Sequence, residues 1–230
     1  MPLTGARLQT LSGVTESGPL TDEAVAALPG PTSPPPWECR VRAVLWWHRA
    51  APGATDALLP ALRGRRTLPV TVGAFVRYLD TPVGPYSEVF GSPLLVFGDR
   101  HLPGVSVPFI AVDSAGSVRG GREHWSLPKV LATLAWAAAD EATADGVTAD
   151  GDGWSVSARG RARGPAFPLA GVLPSVTPSG ATAVVRQRGV ARAARVEVTS
   201  SGPTLPSWLL AGSHPGLVIR HARMLVGPPR

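Results

Sequence analysis

Lysine is almost missing from this chain: of 22 basic side chains in 230 residues, Lys129 alone is a lysine and the other 21 are arginines. Cysteine is as scarce. Cys39 stands alone, so no intrachain disulfide can form and a disulfide-stapled secreted design gains no support. His48, His101, His124, His214 and His221 are dispersed along the sequence without a zinc spacing, and no metal is expected. Charged residues make up 17%, too few for a solvated disordered chain. No apolar run is long enough to span a bilayer, and the first residues lack the basic stretch and apolar core of a signal peptide. The expectation is a cytoplasmic protein with no membrane partner.

What the chain does have is apolar residues and chain breakers. An apolar share of 44% can build a sizeable core, and 230 residues suit one large domain. The 26 glycines and 25 prolines argue against a helical bundle and for short strands joined by turns. A net charge of +6 invites a nucleic-acid reading. Against it, the arginines are scattered from Arg7 to Arg230 with no dense basic run and no aromatic-basic recognition motif. Arg186, Arg188, Arg192 and Arg195 read as a solvated strand face, so no nucleic-acid partner is expected, while anionic small molecules remain possible.

Residues 1–36 read as an extension. Thr21 can cap a short helix running through Ala24 to Leu28, Gly30 ends it, and Pro34-Pro35-Pro36 form a stiff lead-in to a domain over 37–230. Cys39 to Trp47 predicts a strand whose alternation becomes continuously apolar as it enters a core. Asp56 to Leu62 predicts a short helix. Strands are expected over Val70–Tyr78, Ser87–Phe90, Pro93–Phe97, Val105–Val112, Trp154–Ala158 and, one or two of them, over 182–199. The alanines of Leu131 to Ala144 favour helix by propensity but show no helical stripe; an irregular hairpin is the expectation there.

Lys129 lies in Gly121-Arg122-Glu123-His124-Trp125-Ser126-Leu127-Pro128-Lys129, just after a proline and beside apolar residues. Positive charge alone is served by arginine; an amine that sheds its proton when desolvated and attacks a carbonyl is lysine chemistry. Three segments, in order, resemble the acetoacetate decarboxylase family. Gly121-Arg122-Glu123 followed by Pro128-Lys129 is similar to the block in which the lysine forms a Schiff base with substrate. Gly84-Pro85-Tyr86-Ser87-Glu88-Val89 resembles the segment carrying an active-site acid. Pro36-Trp37-Glu38-Cys39-Arg40 enters the first strand as the family's arginine-bearing segment does.

The resemblance implies a mainly β fold, a closed antiparallel β-cone or barrel with a few short helices, often a homo-oligomer, with Lys129 inside. It also implies a small-molecule keto-acid substrate and no cofactor, since a protonated imine is itself the electron sink. On this reading Lys129 is the nucleophile, Glu88 handles protons or orients substrate, and Arg40 holds the substrate carboxylate, with Arg42 as fallback. Arg122 and Glu123 are expected to pair and fix the loop that aims Lys129. Burial, helped by Leu127, Val130 and Leu131, is expected to lower the lysine pKa. Many family members carry a second lysine after the first; here it is Val130. The family's second acid falls near Gly73-Ala74, where small residues would leave a roomy pocket. Three functions stay open: a lysine-dependent lyase decarboxylating a β-keto acid; an imine-dependent aldolase, dehydratase or cyclase on a larger oxo-acid or polyketide-like substrate of secondary metabolism; and a β-barrel that binds a small ligand without chemistry.

Overall fold

The computed structural model describes residues 8, 20–58, 62, 64–97, 102–137, 145–177 and 180–230. In chain order the described elements are α1 (Asp22–Ala26), β1 (Trp37–Arg49), β2 (Thr67–Asp80), β3 (Tyr86–Phe97), β4 (Leu102–Val105), β5 (Phe109–Val112), α2 (Ala115–Trp125), β6 (Val130–Leu131), β7 (Thr133–Trp136), β8 (Asp145–Gly151), β9 (Trp154–Val176), β10 (Thr182–Ser201) and β11 (Gly212–Val226). The fold is mainly β, as expected. One sheet runs β6-β5-β3-β2-β1-β11-β10-β9-β8-β7. The short β4 pairs with β3 and meets β9 through Val105 opposite Ser175, so seven strands from β3 round to β4 form a ring.

The ring strands bury their inner face, and the outer face is covered only where its residues are apolar as well. Along β1, Trp37, Cys39, Val41 and Ala43 are buried and alternate with exposed Glu38, Arg40 and Arg42. The register against β11 slips between Val41 and Ala43, and from Val44 to His48 residues on both faces are buried or half-buried. Val44 and Trp46 then join Phe75, Val89 and Phe109 in a core that Trp154, Val156 and Trp208 complete from β9 and the loop before β11. Trp37, Cys39, Val41, Ala43, Ala74 and Val76 face the interior of the ring instead. Leu20, Val25 and Leu28 pack against this second cluster, so the described part of residues 20–36 lies on the domain rather than trailing from it.

Several expected elements come out differently. Asp56 to Leu58 form turns, not a helix, and residues 59–61 of that expectation lie outside the described residues. Val105–Val112 is two strands, broken at 106–108. The strand expected at Trp154–Ala158 continues to Val176, and 182–199 is one long strand. The irregular hairpin is present as β7 paired with β8; its residues 138–144 lie outside the described residues.

Helix α2 was not anticipated. It contains Gly116, Gly120 and Gly121, each worth about 1 kcal/mol against helix relative to alanine. Its ends compensate. Ser114 Oγ accepts the Ser117 N–H at 3.3 Å. At the other end Ser126, at φ 52°, turns the chain while its N–H and that of Leu127 bond back to Arg122 and Gly121 carbonyls. Val118 and Trp125 anchor the helix to the core. Because β5 and β6 are parallel neighbours, α2 spans them as a crossover and delivers Lys129 immediately before β6.

Candidate active site

The ring encloses a cavity of about 190 Å³, lined mostly by apolar side chains, with Lys129 and Glu88 in its wall. Both are 4% exposed. The Lys129 ammonium donates to Glu88 Oε2 at 2.7 Å and to Ser117 Oγ at 2.9 Å. Tyr78 donates to Glu88 Oε1 at 3.3 Å, and the Tyr86 ring lies 5.2 Å from Lys129 Nζ. Tyr78 and Tyr86 stand opposite each other on β2 and β3, their rings stacked at 4.2 Å. Glu88 comes two residues after Tyr86, so the period of a strand puts both on the inner face.

The spacing from Gly121 to Lys129 has a steric cause. A Cβ on Gly121 would stand 2.5 Å from Lys129 Cδ and 2.8 Å from Cε, so the lysine stem passes through space that only glycine leaves open. Arg122, fully buried, donates Nε to the Lys129 carbonyl at 2.8 Å and a terminal nitrogen to the Leu8 carbonyl at 2.8 Å. Neither of these bonds goes to Glu123. Glu123 instead takes the Arg119 guanidinium at 3.0 Å, one helical turn back. Four-residue spacing puts those two on one face, whereas adjacent residues diverge by 100°.

Electrostatics correct a second expectation. Burial by itself pushes the Lys129 pKa down, but the Glu88 carboxylate, with Tyr86 beside it, outweighs burial and holds the ammonium above its ordinary value. The resting site is therefore an ion pair, not a neutral amine. Burial pushes the Tyr86 phenol up to about 12 and Tyr78 well above its usual range. Burial likewise takes the Cys39 thiol up to about 12, so all three stay protonated at neutral pH. Of the three residues expected to desolvate the lysine, Leu127 lines the cavity, Val130 packs into the opposite core and Leu131 is 45% exposed.

Arg40 is not brought to the others. It lies on the outer face of β1, its side chain 65% exposed, bonded to Asp80 at 3.2 Å. Arg42 is exposed on the same face. Among the described residues lining the cavity there is no arginine. Gly73 does not line it either, because its face carries the Trp46 indole; Ala74 does. Ser117 and Tyr78 were not among the candidates, and Gly121 stood only as part of the Gly-Arg-Glu block, without its steric role. Tyr78 had a signal, its inward phase on β2, while Ser117 lay in a helix that propensity opposes. No cluster of three or more metal-ligating side chains occurs among the described residues, and none of their helices is long and apolar enough to cross a membrane.

Comparison with known proteins bears on this architecture. Similar solved structures include an acetoacetate decarboxylase-like enzyme from Sphingomonas wittichii RW1, with a TM-score of 0.62 at 16% identity over 86% of this chain and 93% of that one. The enduracididine biosynthesis enzyme MppR complexed with pyruvate gives 0.60 at 15% identity, covering 86% and 90%. Acetoacetate decarboxylase from Legionella pneumophila subsp. pneumophila str. Philadelphia 1 gives 0.59 at 15% identity, covering 89% and 92%. At such identities the likeness is one of fold. No curated protein matches the sequence. The family model described as acetoacetate decarboxylase (ADC) matches residues 19–203, most of the length, and the chain belongs to that family.

Proposed function

We propose that this protein is a Schiff-base-forming lyase acting on a β-keto acid, with Lys129 as nucleophile and Glu88 as its proton partner. The observation that carries the reading is the buried pair itself: an amine 2.7 Å from a carboxylate, in the wall of an apolar cavity. The ammonium passes one proton to Glu88 along that hydrogen bond, leaving a neutral amine and a carboxylic acid. The amine nitrogen bonds to the ketone carbon, the carbonyl π pair moves to oxygen, and a proton shifts from nitrogen to that oxygen. Glu88 returns its proton to the new hydroxyl, which leaves as water. The result is a protonated imine and a Glu88 carboxylate. The bond to the substrate carboxyl group then breaks, its electron pair flows into the imine as an enamine, and carbon dioxide departs. Water protonates the enamine carbon and leaves hydroxide, which ends as bicarbonate with the departing carbon dioxide; a second water hydrolyses the protonated imine to free the ketone and the Lys129 ammonium.

Ser117 Oγ, 2.9 Å from the amine, aims the nitrogen through the proton shift. Tyr78 hydrogen-bonds the carboxylate and keeps Glu88 turned to Lys129. Tested with a β-keto acid, borohydride and mass spectrometry, the protein is expected to gain a reduced adduct at Lys129 that Lys129→Arg loses while staying folded. Turnover retained in Lys129→Arg would refute the assignment. Glu88→Gln is expected to slow adduct formation by roughly 10²- to 10⁴-fold.

A second reading keeps the imine and changes its fate to condensation or dehydration. It is favoured by the missing carboxylate clamp among the described lining residues and by a similar structure, MppR, solved with the condensation product of pyruvate and imidazole 4-carboxaldehyde. Release of carbon dioxide from the trapped substrate class separates the two.

A further inference from the structure

Lys129 and Glu88 cancel each other's charge, and the other titratable groups in the cavity wall, Cys39, Tyr78 and Tyr86, are neutral. Among the described residues no further cation faces the cavity; Arg40 and Arg42 point into solvent on the opposite face of β1. A substrate carboxylate entering this space therefore finds no counter-ion among the described residues until the imine nitrogen becomes positive. Gln187 and Ser175, on β10 and β9, offer hydrogen bonds without charge. Such donors lack the full charge and the two-pronged fork of a guanidinium. The rest of the described wall is apolar, with Val41, Val76, Phe90, Ile110, Leu173 and Met224 contributed by strands all round the ring.

From this we infer that the substrate is a keto acid whose ketone bears an apolar chain of several carbons, and that acetoacetate, which has only a methyl there, is a poor fit. The inference rests on the reading that Lys129 forms the imine. A short oxo-acid loses hydration and has little apolar surface to offset the loss. A longer chain recovers roughly fourfold in affinity for each methylene buried against the wall. The volume allows it: 190 Å³ exceeds the about 150 Å³ of an apolar cavity that takes up benzene. The uncompensated carboxylate also favours the chemistry, because its departure as neutral carbon dioxide removes a charge the walls cannot solvate.

Two series separate the chain-length inference from the imine reading. In the first, 3-oxobutanoate, 3-oxohexanoate and 3-oxooctanoate are compared by the rate of borohydride-trapped adduct at Lys129. In the second, butan-2-ol, hexan-2-ol and octan-2-ol, which cannot form imines, are titrated against the fluorescence of Trp37 and Trp125, both in the cavity wall. Both series are expected to improve on the order of tenfold for every two methylenes. Ala74→Leu, filling the wall beside Val76, is expected to flatten both ramps, and ramps as steep as the parent's would count against the inference. A trapped adduct formed best with 3-oxobutanoate, or alcohol binding indifferent to length, overturns the chain-length inference alone. An alcohol ramp without any keto-acid adduct overturns the imine reading and the keto-acid assignment together.

Discussion

Strands β1, β2 and β3 carry two interiors, one on each face, and the two are built from different sizes of side chain. On one face Trp46, Phe75, Phe109 and Trp154 interlock, and Phe109 meets Trp154 edge to face at 5.2 Å between ring centres. On the other, neighbouring positions hold Ala43, Ala74, Val76 and Cys39, and the space they leave is the cavity. Gly73 and Ala74 illustrate the division. Adjacent on β2, the first gives up its side chain so that an indole can press on the backbone, and the second stays small so that a ligand can enter. The first interior supplies the stability that lets the second hold an empty space and an ion pair.

If that division is right, neighbouring truncations on β2 should differ. Phe75→Ala, in the packed core, is expected to cost about 3–5 kcal/mol in denaturant unfolding. Val76→Ala, whose methyls already face open space, is expected to cost about 1 kcal/mol. Equal costs would mean that the cavity is a packed interior like its neighbour. On the cavity side, Gly121→Ala should push the Lys129 stem out of place and slow adduct formation at least about tenfold. Unfolding should barely change, because alanine recovers about 1 kcal/mol of helix propensity.

A pH series sharpens the electrostatic half of the contrast. Since Glu88 keeps the Lys129 pKa raised and also accepts its proton internally, adduct formation in the parent protein should be flat from about pH 6 to 9. In Glu88→Gln the opposing carboxylate is gone and burial prevails, so the rate should rise with pH and level off below 10.5. For the parent, the raised folded-state pKa means that the stability from the pair is complete below 10.5 and is lost as pH climbs through the folded value. An adduct rate in the parent that already rises with pH around neutrality would contradict an internal proton acceptor.

Much of this was legible in the sequence, because local patterns encode strands and motifs. The alternation in β1, the turn residues before β3 and the segments around Glu88 and Lys129 announced a mainly β fold with an amine and an acid inside. Other parts were hidden for physical reasons. Helix α2 is made by its caps and by packing of Val118 and Trp125, against the propensity of its glycines. The reach of β9 to Val176 depends on pairing with β10, since its middle section is exposed and shows little pattern of its own. The lysine pKa could not be read because its direction depends on a partner 41 positions away in sequence. The outward turn of Arg40 follows from strand phase, which puts it on the face opposite Cys39 and Val41.

The solitary lysine has a practical consequence. Growing the protein on lysine isotopically enriched at the ε-amine would yield one magnetic-resonance reporter per chain, already positioned at the reacting atom. Its chemical shift would follow the proton, the carboxylate beside it and any bound ketone without a single engineered label.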